Sequence, residues 1–140
     1  MTADHYNLHR FVDAQNPVYE RVCAELRQGR KESHWMWFIF PQIAGLGSSP
    51  MAVKFAISAR AEAEAYLEHP VLGPRLRECT QLVTNVPGRS IEEILGYPDD
   101  LKFHSSMTLF ANVAAKPEAF THALAKFYGG EFDAATLERL

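Results

Sequence analysis

An all-α fold is what this sequence predicts: a compact single-domain bundle of about six to eight mostly short helices over residues 1–140. Three observations carry that expectation. Helix-start devices recur along the chain, as Asn-Pro, Ser-Pro or a serine with glutamate three residues on. Apolar residues follow them at intervals of three or four, the spacing of one helix face. Strand-like alternation is nearly absent, and no repeat, low-complexity tract or linker breaks the pattern.

The elements follow in chain order. Residues 7–12 make a short helix or turn. Asn16-Pro17 then places an N-cap before proline at the first helical position, where the missing N–H costs no bond. Val18, Val22 and Leu26 form one buried stripe, and Gly29 supplies the stop. Residues 35–40 are an apolar run whose period does not separate helix from strand. Ser49-Pro50 repeats the cap-plus-proline device and opens a short helix carrying Met51 and Phe55. Ser58 caps a helix through Ala61, Ala65 and Leu67, stopped at His69-Pro70. Gly73-Pro74 restarts the chain as helix, with Leu76, Cys79 and Val83 on its inner face. Ser90 and Glu93 form a capping box, ended by Gly96, Tyr97 and Pro98. Asp100 is the next N-cap, followed by Phe103, Met107, Phe110 and Ala114 at helical spacing. Pro117 opens the last long helix, which buries Phe120, Leu124 and Phe127 and closes at Gly129-Gly130; Asp133 caps a final turn through Leu137.

Composition bounds the function. Apolar residues at 47% and charged residues at 22% are globular averages, which argues against disorder. A net charge of −3 with scattered Lys and Arg leaves no basic footprint, so no nucleic-acid partner is expected. No stretch is long and apolar enough for a bilayer, and the N-terminus has neither a basic start nor an apolar run. A cytoplasmic protein without a membrane partner is the expectation. Cys23 and Cys79 sit among apolar residues at helical spacing and read as reduced core thiols, with a disulfide between them as the alternative. His5 and His9 have a metal-capable spacing but lack a third ligand, and no cysteine set supports zinc. Neither a metal nor a cofactor is called.

One segment is too aromatic and too polar at once to be core alone. Residues 31–50 (Lys-Glu-Ser-His-Trp-Met-Trp-Phe-Ile-Phe-Pro-Gln-Ile-Ala-Gly-Leu-Gly-Ser-Ser-Pro) hold both tryptophans, a histidine, a lysine and a glycine-punctuated loop. Large rings beside a few polar groups line small-molecule pockets. Trp35 and Trp37 are therefore candidate walls, with Lys31 and Gln42 beside them. Gly45, Gly47 and Ser49 feed into a helix start, where free N–H groups favour an anion. On the helix begun at Asp100, Lys102, Ser105, Ser106, Thr108 and Asn112 make a hydroxyl-rich stripe. Such residues are poor helix surface, so partners inside the fold or a ligand explain them better. His34 is the first candidate for acid–base work, Asp100 or His104 the second. No nucleophile elbow, carboxylate pair or metal set accompanies them, so no reaction is asserted.

Four segments carry a family resemblance: residues 10–15 (Arg-Phe-Val-Asp-Ala-Gln), residues 31–42, which include His-Trp-Met-Trp-Phe-Ile-Phe-Pro-Gln, residues 45–49, and residues 105–110 (Ser-Ser-Met-Thr-Leu-Phe). With the stretch from Tyr66 to Leu76, they make the chain resemble, over nearly its whole length, the DUF1810 family of uncharacterised bacterial proteins, some labelled "calpastatin". The resemblance implies a compact, mostly helical single domain and no activity, cofactor or catalytic residue. Two functions of different class remain in view. One is a pocket that binds or processes a small anionic ligand such as a nucleotide derivative. The other is a non-catalytic protein–protein interaction module or homodimer, whose aromatic segment forms an exposed patch; monomer and homodimer both stand open.

Overall fold

The computed structural model describes residues 4–140. Ten helices run through them. The first half holds α1 (His9–Gln15), α2 (Tyr19–Arg27), α3 (Met36–Ile39), α4 (Pro50–Lys54) and α5 (Arg60–Glu68). The second holds α6 (Leu72–Thr84), α7 (Ile91–Leu95), α8 (Asp99–Val113), α9 (Glu118–Tyr128) and α10 (Ala134–Leu137). The count exceeds six to eight because α3, α4, α7 and α10 are four- or five-residue elements; the other six run seven residues or longer. No strand occurs among the described residues, and none of their helices is long and apolar enough to cross a membrane. The reading of residues 1–3 lies outside the described residues.

The ambiguous run at 35–40 resolves as one helical turn followed by extended chain. After α3, Ile43 makes an isolated parallel bridge with Ile57, in which Ala44 N–H donates to Ile57 O (2.8 Å) and Ile57 N–H to Gln42 O (2.9 Å). Several local stops and starts stand where the sequence puts them. Gly29 adopts φ +74°, its N–H bonds Leu26 O, and Arg30 N–H returns to Glu25 O, so α2 ends in a Schellman turn. Ser49 accepts from Ala52 N–H (3.2 Å) ahead of Pro50, and the Ser90–Glu93 capping box is complete.

Three starts differ, each because a distant partner or a backbone turn displaces the local cap. Asn16 continues the end of α1, and its carboxamide oxygen accepts from Arg75 (2.9 Å) instead of capping α2, which begins at Tyr19. Ser58 donates its hydroxyl to Glu62 (2.7 Å), and α5 starts at Arg60 behind Ala59. The buried face of α5 is Glu62, Ala63 and Tyr66, with Ala65 and Leu67 partly buried against the core beside it. Glu62 can be buried there because Arg10 reaches it at 2.9 Å. The third start is α8, which follows Pro98 without a side-chain cap, leaving Asp100 inside the first turn.

α8 is the central helix, packed against α5, α7, α9 and α10. Seven of its residues between Phe103 and Phe110 are buried, the hydroxyl residues Ser105, Ser106 and Thr108 included. Rings join the elements through it. Tyr66 packs on Phe110, Phe110 on Phe120, and Phe40 meets Phe103 edge-on at 4.9 Å. One continuous hydrophobic cluster runs from Leu8 to Leu124.

Close approach explains one glycine. An added Cβ at Gly73 would lie 2.1 Å from Leu67 O, so the start of α6 rests directly on the backbone of α5. Gly73→Ala is expected to destabilise the protein by about 3 kcal/mol, because the obstacle is backbone and cannot step aside. Urea unfolding of the variant measures it; a loss below about 0.5 kcal/mol would contradict the packing described.

Candidate functional site

The geometry of the site begins with a buried carboxylate on α2. Glu25 accepts from Glu32 N–H (2.8 Å), Ser33 N–H (3.0 Å), the Ser33 hydroxyl (2.5 Å) and the Trp35 indole N–H (3.0 Å). Burial by itself would raise this carboxyl. The Ser33 hydroxyl, the two backbone N–H groups and the indole outweigh it and bring the group down to about 2. The clamp fixes the chain between the end of α2 and the start of α3. It thereby sets where Trp37 and the 41–49 loop lie.

Asp99, at the start of α8, ties that segment to the central helix. Lys31 Nζ lies 2.9 Å from one Asp99 oxygen and Lys102 Nζ 3.5 Å from the other. The two ammonium groups also sit over the two indoles. Lys31 is 5.1 Å from the Trp35 ring centroid and Lys102 is 5.3 Å from that of Trp37. One carboxylate between two lysines leaves a positive charge that this trio does not neutralise. Lys102 is the more exposed of the pair, at 27% against 9% for the side chain of Lys31.

Beside Lys102 opens a groove of about 540 Å³ between the 42–52 segment and the first two turns of α8. Gln42, Leu46, Gly47, Ser48 and Ser49 form one wall. Pro98, Leu101, Lys102, His104 and Ser105 form the other, and Asp133 and Ala135 close an end. A smaller cavity of about 10 Å³ adjoins it, sharing Gln42, Gly47 and Ala52 and reaching Trp37, Gly45 and Phe55. That is room for about one water-sized group.

The hydroxyl stripe of α8 holds the closing end in place. Ser105 donates to Asp133 Oδ2 (3.1 Å), which also accepts from Thr136 N–H (3.1 Å) and the Thr136 hydroxyl (2.6 Å). Thr108 donates to His104 O (2.8 Å) and accepts from Asp133 N–H (2.9 Å). His104 stacks on Tyr128 at 4.0 Å with an interplanar angle of 6°, while its Nε2 meets Glu131 O at 2.8 Å. That contact requires the proton on Nε2. Tyr128 in turn donates to Asp100 O (2.5 Å), and burial, then the charge of Asp100, pushes its phenol well up.

The fold thus brings Gln42, Gly47, Ser49, Lys102 and Ser105 to one concavity, with Trp37 and Gly45 just beneath it and Lys31 behind Asp99. Other candidates stand elsewhere. Trp35, 1% exposed, is core and spends its N–H on Glu25. Ser106 and Thr108 are fully buried, Ser106 with its hydroxyl oxygen unpartnered and Thr108 joined to the backbone of His104 and Asp133. His34 is exposed and is not among the groove's lining residues. Asp100, whose carbonyl accepts from Tyr128 of α9, is not among the groove's lining residues, whereas His104 does line the groove. Two residues were not legible as site members. Asp133 reads locally as a helix cap, and Arg139, whose side chain lies against Gly45, sits about ninety positions away from its neighbour.

An all-helical chain with a solvent-open groove beside paired lysines is the class the structure defines. A family model described as a protein of unknown function (DUF1810) matches residues 5–140, and the chain belongs to that family. The chain is similar to the conserved hypothetical protein Rv1873 from Mycobacterium tuberculosis, whose crystal structure superposes with a TM-score of 0.97. The two are 60% identical, and the match covers 98% of each chain. No curated protein matches the chain.

Removing the Asp133 carboxylate strips three acceptor contacts from the groove's end. Asp133→Ala is expected to cost about 2 kcal/mol, the upper range for a lost cap, and to raise hydrogen exchange at residues 131–137 ahead of the rest. Uniform exchange, with no local change, would contradict the anchoring role.

Proposed function

We propose that the groove between the 42–52 segment and α8 binds a small anionic ligand of about nucleotide size, with Lys102 as its charged anchor. The observation that carries this reading is the shared carboxylate: Asp99 serves Lys31 and Lys102 together, so the groove-facing ammonium is positioned without being fully neutralised. The Trp37 ring below Lys102 keeps the side chain in place and gives the site an optical reporter. Gln42 and Ser105 supply neutral polar groups, and Leu46, Pro98 and Leu101 supply apolar surface for the uncharged part. Gly47 leaves the loop wall without a side chain. The reading is one of binding, with His104 on the groove wall and its Nε2 held by Glu131 O.

A second reading has one observation in its favour. Tyr97 and Leu101, at the groove's rim, are 73% and 52% exposed, and a protein partner or a second copy of the chain would cover them. The ring-rich segment itself offers such a partner only Trp37, since Trp35, Phe38 and Phe40 are buried.

Titration with nucleotides and phosphorylated metabolites, read by thermal shift and tryptophan fluorescence, tests the first reading. At least one class is expected to stabilise the fold and alter Trp37 emission, and Lys102→Ala to weaken its binding at least about tenfold, as loss of roughly 1.4 kcal/mol requires. Unchanged binding in that variant, or no response across the panel at millimolar concentration, would sink it. Concentration-dependent dimerisation abolished by Leu101→Asp would favour the second reading instead.

A further inference from the structure

On the other side of α2, away from the groove, a second cluster of reactive groups lies between α2 and α6, which pack together. Cys23 and Cys79 are both free thiols and both buried. Each is hung from one end of a short hydrogen bond. Tyr19 donates to Glu78 Oε1 at 2.5 Å; Cys23 Sγ is 3.7 Å from that same Glu78 oxygen, and Cys79 Sγ is 3.8 Å from the Tyr19 hydroxyl. The two thiols are close enough that each perturbs the other's acidity. Four polar side chains closing on themselves are more than a pair of core thiols needs for packing.

We propose that Cys23 and Cys79 form a peroxide-oxidisable dithiol, Cys23 attacking and Cys79 resolving, whose product is a disulfide joining α2 to α6. Access and acidity order the two. Cys23 is 4% exposed and Cys79 is fully buried, and the outer layer over them is Glu78, which is exposed, and half-buried Tyr19. The neighbouring Cys79 side chain, opposed by burial and helped by Tyr19, lowers the Cys23 thiol; Arg27 works in the same direction and Glu78 against it. The Cys23 neighbour, together with burial, pushes Cys79 up. Cys23, the less enclosed of the two, is therefore placed as the attacking sulfur.

Both steps balance. The Cys23 thiolate attacks one oxygen of hydrogen peroxide, forming S–O and breaking O–O, and the departing hydroxide takes a proton to become water. Cys79 loses its proton and attacks the Cys23 sulfenic sulfur, forming S–S and breaking S–O, and the second hydroxide leaves as water. The two thiols give up two electrons, and one peroxide is reduced to two waters.

The test treats the full chain with hydrogen peroxide, then denatures, alkylates and weighs it. Both thiols should vanish together with loss of two hydrogens, in a monomeric product that dithiothreitol restores and whose digest links the Cys23 and Cys79 peptides. Cys79→Ser should stop at a dimedone-trappable sulfenic acid on Cys23. Cys23→Ser should consume peroxide at least about tenfold more slowly than the wild type. Thiols that stay alkylatable at peroxide levels that oxidise free cysteine would overturn the proposal. So would cross-linking only between chains. The wild-type mass and peptide map decide the matter even if a serine variant fails to fold.

Discussion

The Glu25 carboxylate is the contact on which the placement of the groove depends. Four donors meet it from three residues of irregular chain, Glu32, Ser33 and Trp35, and every one lies seven to ten residues further along. A carboxylate this enclosed is tolerable only when its oxygens are filled. The same residue's carbonyl takes the last bond of the Schellman turn from Arg30. One side chain and one carbonyl therefore convert the end of α2 into the approach to α3. Trp35 is drawn inward by its N–H, which leaves Trp37, two positions on, half-buried next to Lys102.

The opposite wall is built by small hydroxyls on a helix buried nearly all round. Ser105 and Thr108 return bonds to the carbonyls of Leu101 and His104, so their polarity costs little inside the fold. Their short side chains also let the 131–137 segment lie close and be held by Asp133. The hydroxyl stripe thus serves both as core and as the groove's end. Ser105 is the member that does both at once.

Much of the fold was legible because it rests on local devices. Gly29, Ser49-Pro50, the Ser90–Glu93 box and the stripe of α6 all work within four residues of themselves. Where a remote charge intervenes, local pattern misleads. Arg75 takes Asn16, and Arg10 lets the charged Glu62 occupy a buried position on α5. The candidate site divides along the same line. Lys102, Ser105, Gln42 and the glycine loop converge, whereas Trp35 looked like pocket wall only because the acceptor for its N–H, on the preceding helix, was invisible in the spacing. Asp133 shows locally only as a helix cap and Arg139 shows nothing, since both also reach back to residues far earlier in the chain.

The most direct measurement is an NMR titration of the Glu25 carboxyl, followed together with the Trp35 indole N–H. With its acceptor sites filled, the group should titrate near 2 against an ordinary 4.5. A depressed folded-state value means the stabilisation is complete above about 4.5 and is lost as the pH falls toward 2. That is worth roughly 3 kcal/mol, and the indole resonance should move in the same step. A carboxyl that titrates at its ordinary value, with the indole signal indifferent to it, would contradict the clamp and with it the placement of the groove.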